Sequence, residues 1–198
     1  MQTALVILAA YILGSIPFAM ISSRLFGLAD PRSYGSGNPG ATNVLRSGNK
    51  KAALFTLLGD ALKGWVAIFV AQHMGLSDNM IGLVALAVFF GHLYPVFLKF
   101  KGGKGVATGA GVLIGLDPLL GLAVIGTWLF VALAFRYSSL AAILAAAMAP
   151  VYFLLMHGAN SQIFVIGIIA MALIGKHWQN FQRLLAGQEA RIGSKKKS

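Results

Sequence analysis

The chain has 198 residues, is 58% hydrophobic, carries a formal net charge of +11 and contains no cysteine, and its mean hydropathy is +0.78. These figures exclude an ordinary soluble domain, a disulfide framework, a Cys-based metal site and a thiol nucleophile. The positive charge would suggest nucleic acid in a soluble protein; in a chain with several runs long enough to cross about 30 Å of hydrocarbon it reads as topology, and no nucleic-acid partner is expected.

Apolar segments fall at about 2–23, 52–73, 79–98, 105–134, 138–156 and 161–175. The first has no charged n-region and no clear small-residue cleavage site, so it reads as a retained span. The fourth contains Asp117-Pro118, and a proline disfavours helix in the residue before it. It therefore divides into a short piece, 105–116, and a full span, 118–134. At 1.5 Å per residue the short piece is only about 18 Å long and crosses partially or with help from its neighbours. The expected fold is all-α, a polytopic integral membrane helical bundle forming a single domain over residues 1–198.

Charge sets the orientation. Lys and Arg fall at 24, 32, 46, 50 and 51, at 99, 101 and 104, at 136, and at 176, 183, 191, 195, 196 and 197, which is 15 of the 16 cations. Alternate connections collect all of them on one face and leave Asp78 and Asp117 on the other. The basic face is then cytoplasmic, the N-terminus outside and the C-terminus cytoplasmic, so the number of crossings is odd. Seven spans, one of them short, is the favoured count; five, with 105–134 as a re-entrant excursion, is the alternative. The tail 176–198 is basic, and its Lys195-Lys196-Lys197 run reads as a stop-transfer signal and anchor to anionic lipid.

The remaining cation, Lys63, lies inside the second apolar segment three residues after Asp60. That spacing puts both on one helix face. An isolated charge at mid-membrane costs about 2.5–3.5 kcal/mol on the insertion scale. The two residues are either a mutually neutralising structural pair or the floor of a polar site, and both readings place them inward.

Three segments on the basic face carry the polar chemistry. The first loop, about 30–51, contains "GSGNPGATNV", Gly35 to Val44, whose three glycines and proline exclude a stable helix interior. Backbone N–H groups at Gly35, Gly37, Asn38 and Gly40 can form an anion nest, with Ser36, Thr42 and Asn43 adding side-chain donors and Arg46 a charge. The spacing imitates a nucleotide P-loop, but Ala41 stands where the lysine is required and no strand precedes it, so that reading is rejected. The second segment is "GHLYPVFLKFKGGKGVATG", in which the loop 99–105 carries Lys99, Lys101 and Lys104 around Gly102, Gly103 and Gly105. Mobile cations, bare backbone donors and a helix N-terminus together suit phosphate. His92 lies deeper and reads as a hydrogen-bonded structural histidine. The third is "GKHWQNFQRLLAGQEARIG"; if helical, it places His177, Asn180 and Arg183 along one face of an interfacial amphipathic helix. His73 and Asp78 match the His-x4-Asp spacing of acyl-CoA-dependent acyltransferases, but fall on the outer face with no cation nearby and are read as coincidence.

Phosphate-suited segments on one face of an apolar bundle imply a substrate with phosphate in water and a chain in lipid. "GSGNPGATNVLR", "GHLYPVFLKFKGGKGVAT" and "HWQNFQRLLAGQEARIG", in that order, resemble the bacterial acyl-phosphate:glycerol-3-phosphate acyltransferase family. Gly14-Ser15-Ile16-Pro17 and "GDALKG" around Asp60 and Lys63 are similar to it as well. The resemblance implies acyl transfer from a fatty acyl-phosphate to the 1-hydroxyl of glycerol 3-phosphate, giving 1-acylglycerol 3-phosphate (lysophosphatidic acid) and phosphate at the cytoplasmic face of a bacterial inner membrane. It implies no cofactor and no metal; the partners are acyl-phosphate, glycerol 3-phosphate and membrane lipids, with hand-off from an acyl-phosphate-forming enzyme and to a second acyltransferase. Carried onto this chain, Ser36, Arg46, Lys104, His177 and Asn180 are the expected catalytic set. Substrate binding is expected of Gly35, Gly37, Asn38, Gly40, Thr42, Asn43, Lys101, Gly102, Gly103, Gly105, Arg183, Asp60 and Lys63. A transporter of phosphate or phosphorylated metabolites is the competing class, since broken helices and inward cations also serve transport; motifs gathered at one face, without an inverted repeat, argue against it.

Overall fold

A computed structural model describes residues 2–193 of the chain. Ser194 and the Lys195-Lys196-Lys197 run read as a lipid anchor lie outside the described residues. Among the described residues every regular element is helical. In chain order they are α1 (Gln2–Ser15), α2 (Phe18–Leu25), α3 (Ala41–Leu45), α4 (Lys50–His73), α5 (Asp78–Leu93), a 3-10 turn at Val96–Leu98, α6 (Val106–Leu116), α7 (Pro118–Phe135), α8 (Ser138–His157), α9 (Gln162–Lys176) and α10 (Trp178–Leu185).

The chain is a polytopic membrane helical bundle. Among the described residues, four helices are long and apolar enough to cross a membrane, and up to six spans result when each bent helix pair counts as one. The bent pairs are α1 with α2, at 41°, and α9 with α10, at 56°. The first bend corrects the expectation of one continuous segment over 2–23: Pro17 has no N–H to donate and its ring obstructs the preceding turn, so the helix stops at Ser15 and restarts at Phe18. A second correction lies in the first loop. The glycines do exclude helix up to Gly40, but a helical turn opens at Ala41, immediately past the last of them.

Helix starts follow their local chemistry. Asn49 caps α4 by accepting the Ala52 N–H at 3.0 Å. Asp117 accepts the N–H groups of Leu119 and Leu120 at 2.7 and 3.0 Å, with Pro118 at the first helical position. A side-chain cap followed by proline is the N-terminal signal that divides α6 from α7 where the sequence places the break.

The chain forms two compact units, residues 1–121 and 122–198. In the first, α1 packs on α5 and α4 on α6. Both contacts bring backbone onto backbone: a Cβ at Gly14 would overlap the Val88 carbonyl, and one at Gly111 the Ala61 carbonyl. Lipid supplies little hydrophobic drive between helices, so close approach at small residues is what makes such contacts favourable. A buried hydroxyl pair, Ser22 and Thr56 at 2.7 Å, ties α2 to α4. In the second unit α8 packs on α9. After Gly187 the chain returns to the α7–α8 turn, where the Ile192 N–H donates to the Arg136 carbonyl at 2.7 Å and Arg136 Nη2 donates to the Ile192 carbonyl at 3.0 Å. Ile192 packs there against Val131, Ala132 and Ala141.

Gly111→Val should lower the detergent thermal midpoint markedly, since overpacking a tight contact costs about 1–3 kcal/mol and here the obstacle is backbone. Gly126→Ala, in α7 with nothing within 4 Å of the added carbon, should leave the midpoint unchanged or raise it slightly. Equal midpoints for the two variants would contradict the packing assigned to α4 and α6.

Candidate active site

Asn43, 2% exposed, holds the first loop. Its Nδ2 donates to the carbonyls of Pro31 and Tyr34 at 2.6 and 3.2 Å, and its Oδ1 accepts the Ser36 N–H at 2.9 Å and Arg46 Nη1 at 3.4 Å. Both of its donors are therefore engaged within the loop. Gly35 stands at φ +60, where a Cβ would be strained and would also overlap Asn43 Oδ1. The structure thus brings Gly35, Ser36, Asn43 and Arg46 together. Ser36, Gly37, Thr42 and Arg46 are exposed, while Asn38 and Gly40 are half-buried.

The charged pair of α4 lies in the same unit. Lys63 Nζ is 2.8 Å from Asp60 Oδ1, with side chains 1% and 4% exposed. Lys63 also donates to the Ile16 carbonyl at 2.9 Å, a group stranded by the break at Pro17. His92 Nδ1 stands 3.5 Å from the same carboxylate oxygen. A cleft is lined by Ser15, Pro39, Asp60, Lys63, His92 and Gly103, among others. The pair is thus mutually neutralising and also lies on the wall of this cleft. His92 is hydrogen-bonding and buried as expected, but its contact with Asp60 was not foreseen. No sequence pattern links residues 32 positions apart on different helices.

The glycines of the second loop need a corrected account. Their donors are not bare: the Gly102 N–H donates to the Leu93 carbonyl at 3.2 Å and the Gly103 N–H to the His92 carbonyl at 3.1 Å. A Cβ at Gly103 would overlap His92 Nε2. Gly105, at φ +88, makes the left-handed turn into α6. The loop therefore lies against the end of α5 and carries Lys104, half-buried, to the start of α6; Lys101 is exposed.

The second unit holds the third motif. His177 occupies the bend between α9 and α10, 4% exposed. Its Nδ1 lies 2.9 Å from the Leu173 carbonyl; a carbonyl only accepts, so that nitrogen carries a proton. Asn180 and Arg183 converge on a residue not singled out from sequence. Glu189 Oε1 accepts from Asn180 Nδ2 at 2.6 Å and from Ser139 Oγ at 2.7 Å, and Oε2 accepts from Arg183 Nε at 2.7 Å. Asn180 and Arg183, one helical turn apart, thus reach the same carboxylate. The available signal was that Glu189 is the chain's one glutamate, set among cations. Burial pushes its carboxyl up, but the hydrogen bonds from Asn180, Ser139 and Arg183 and the Arg183 charge outweigh this and hold it below the usual range. Trp178, Phe181 and Leu185 are exposed on α10, the apolar face expected of an interfacial helix. His73, elsewhere at the end of α4, bonds through Nδ1 to the Phe69 carbonyl at 2.9 Å.

The glycerol-3-phosphate acyltransferase family model matches residues 4–187. The chain belongs to the glycerol-3-phosphate acyltransferase family. It is 79% identical over 198 residues to the glycerol-3-phosphate acyltransferase of Dechloromonas aromatica (strain RCB), with 100% of both chains covered. It is 57% identical to that of Cupriavidus pinatubonensis over 201 residues, again with 100% of each covered. Two solved structures of PlsY (YgiH), an integral membrane glycerol 3-phosphate acyltransferase, match its fold. The glycerol 3-phosphate form gives a TM-score of 0.92 at 38% identity, covering 98% of this chain and 96% of that one. The lysophosphatidic acid form gives 0.90 at 36%, with the same coverage. As a member of this family the chain is an acyltransferase, and the transport reading is set aside.

The Glu189 cluster of this acyltransferase has a signed pH dependence. Its lowered carboxyl contributes stability that is fully present above the ordinary carboxylate range and is lost as pH falls through the folded-state value. The thermal midpoint of the natural chain should therefore drop on acidification below about pH 4. Glu189→Gln should start lower at neutral pH and lose less on acidification. Parallel pH profiles for the two proteins would remove Glu189 from this role.

Proposed function

We propose that the chain transfers a fatty acyl group from an acyl-phosphate to the 1-hydroxyl of glycerol 3-phosphate, releasing 1-acylglycerol 3-phosphate and inorganic phosphate. The observation that carries this reading is its 38% identity, over 98% of its length, to an integral membrane glycerol 3-phosphate acyltransferase. It is a multi-pass protein of a bacterial inner membrane.

An acyl-phosphate is a mixed anhydride, already activated, with phosphate as its leaving group. The C1 hydroxyl oxygen attacks the acyl carbonyl carbon, the bond from that carbon to the bridging oxygen breaks, and its electron pair leaves on phosphate. The hydroxyl proton passes to a phosphate oxygen. No covalent enzyme intermediate is required. The catalyst must hold two mutually repelling anions together and meet the charge of the transition state, which is proximity plus electrostatics. Arg46, Lys101 and Lys104 supply cations; Ser36, Thr42 and the backbone N–H groups of Gly35 and Asn38 supply neutral donors. The expected anion nest is narrowed at Gly37 and Gly40, whose N–H groups donate to the Tyr34 and Asn38 carbonyls at 3.0 and 2.9 Å and so set the loop's path. Asn43, with both amide donors on Pro31 and Tyr34, positions that loop. Gly102, Gly103 and Gly105 set the path of Lys104, and Asp60 with Lys63 forms the cleft wall. His177 is assigned to positioning glycerol phosphate rather than to abstracting its proton, and Asn180 to the same substrate with Arg183 behind it.

The finer topology is part of the proposal: seven spans with α6 as the short one, N-terminus outside, C-terminus and active site cytoplasmic, and both units in one acyltransferase domain. The distribution of 15 of the 16 cations supports it. Substrate would come from an acyl-phosphate-forming enzyme, and product would pass to a second acyltransferase.

Purified protein given palmitoyl-phosphate and glycerol 3-phosphate, without CoA, should form lysophosphatidic acid and phosphate; no product would sink the assignment. Lys104→Ala and Arg46→Ala should each lose about 30-fold or more in kcat/KM, about 2 kcal/mol of transition-state stabilisation. A covalent acyl-Ser36 adduct detected by mass spectrometry would refute direct transfer.

Orientation is testable because the natural chain has no cysteine. Ser77→Cys should react with an impermeant thiol reagent in intact cells, and Arg136→Cys only after lysis. The reverse pattern would overturn the placement of the site.

A further inference from the structure

We propose that His92 is a positioning residue for acyl transfer, holding the Gly102–Gly103 turn in register with the buried Asp60–Lys63 pair and thereby fixing where Lys104 stands. The inference rests on the reading that Lys104 binds a substrate phosphate.

His92 is 7% exposed and touches both parts. On one side its Nδ1 stands 3.5 Å from Asp60 Oδ1. That carboxylate is fixed by Lys63 at 2.8 Å, and Lys63 by the Ile16 carbonyl at 2.9 Å. On the other side its Nε2 occupies the space that a Cβ at residue 103 would fill. Its own carbonyl accepts the Gly103 N–H at 3.1 Å, and the next carbonyl, Leu93, accepts the Gly102 N–H at 3.2 Å. Backbone and side chain of one residue thus grip the same turn, immediately before Lys104. A histidine present only to fill space could be replaced by an apolar residue of similar volume. One present to set register requires the polar contact to Asp60.

The test compares His92→Asn, His92→Gln and His92→Leu with Lys104→Ala, each purified and normalised to folded protein. The amide nitrogen of Asn falls near Nδ1 of the imidazole and so keeps a donor towards Asp60; that of Gln falls near Nε2 and does not. His92→Leu should raise KM for one of the two phosphate-bearing substrates about ten-fold, with kcat changed less, and His92→Asn should stay within about three-fold of the natural enzyme. His92→Gln should resemble His92→Leu. Unchanged KM values in all three, or His92→Asn as impaired as His92→Leu, would overturn the proposal. Should His92→Leu fail to fold, the Asn and Gln variants decide, and equal KM values for those two count against it. Lys104→Ala separates the two layers. If it is unimpaired, the reading of the loop fails; if it is impaired while the His92 variants match the natural enzyme, only the positioning role fails.

Discussion

The first unit depends on a carboxylate and an ammonium 2.8 Å apart inside a membrane helix. Either charge alone is expensive at that depth, and removing one partner of a buried pair typically costs about 3–5 kcal/mol because the other is left uncompensated. The pair also repairs a defect elsewhere. The break at Pro17 strands the Ile16 carbonyl, and Lys63 donates to it. A stranded carbonyl, a buried lysine and a buried aspartate would each be unfavourable alone; together they satisfy one another. The arrangement then faces a cleft that also includes Pro39 of the first loop and Gly103 of the second.

Glycine serves a different purpose here from the one its reputation for flexibility suggests. At Gly14 and Gly111 it lets helix backbones meet. At Gly103 it lets a loop lie against an imidazole, and at Gly35 it admits the asparagine that braces the first loop. The loops are therefore braced, and the cations they carry are presented from fixed backbone. Preorganised charge is what direct transfer between two phosphate-bearing substrates requires, since solvent reorganisation is then largely avoided when the anhydride bond breaks.

Much of this was readable along the chain, and what was not has a common cause. The apolar runs at 52–73 and 138–156 became α4 and α8 to within two residues at each end, because length and polarity alone decide where a helix crosses lipid. Asp117-Pro118 announced its own break. Pro17 did not, because it lies inside an apolar window that hides a bend. That the loops suit phosphate was read from their residue types and the role expected of each residue from the resemblance; their geometry was not legible at all. Nothing local tells that Asn43 spends its amide on Pro31 and Tyr34, that Gly103 meets His92, or that Glu189 gathers Ser139, Asn180 and Arg183. Each is a contact between segments remote in sequence, and pattern along one segment carries no record of its partner.

The central claim is that acyl transfer is direct, with both phosphate-bearing substrates held at once and no acyl-enzyme between them. The measurement that addresses it most directly is isotope exchange. Purified enzyme is incubated with palmitoyl-phosphate and radiolabelled inorganic phosphate in the absence of glycerol 3-phosphate. Direct transfer predicts that no label enters palmitoyl-phosphate, because its acyl–phosphate bond is not broken by the enzyme until the acceptor hydroxyl attacks. Enzyme-dependent incorporation of label would require a reversible acyl-enzyme and would contradict the account.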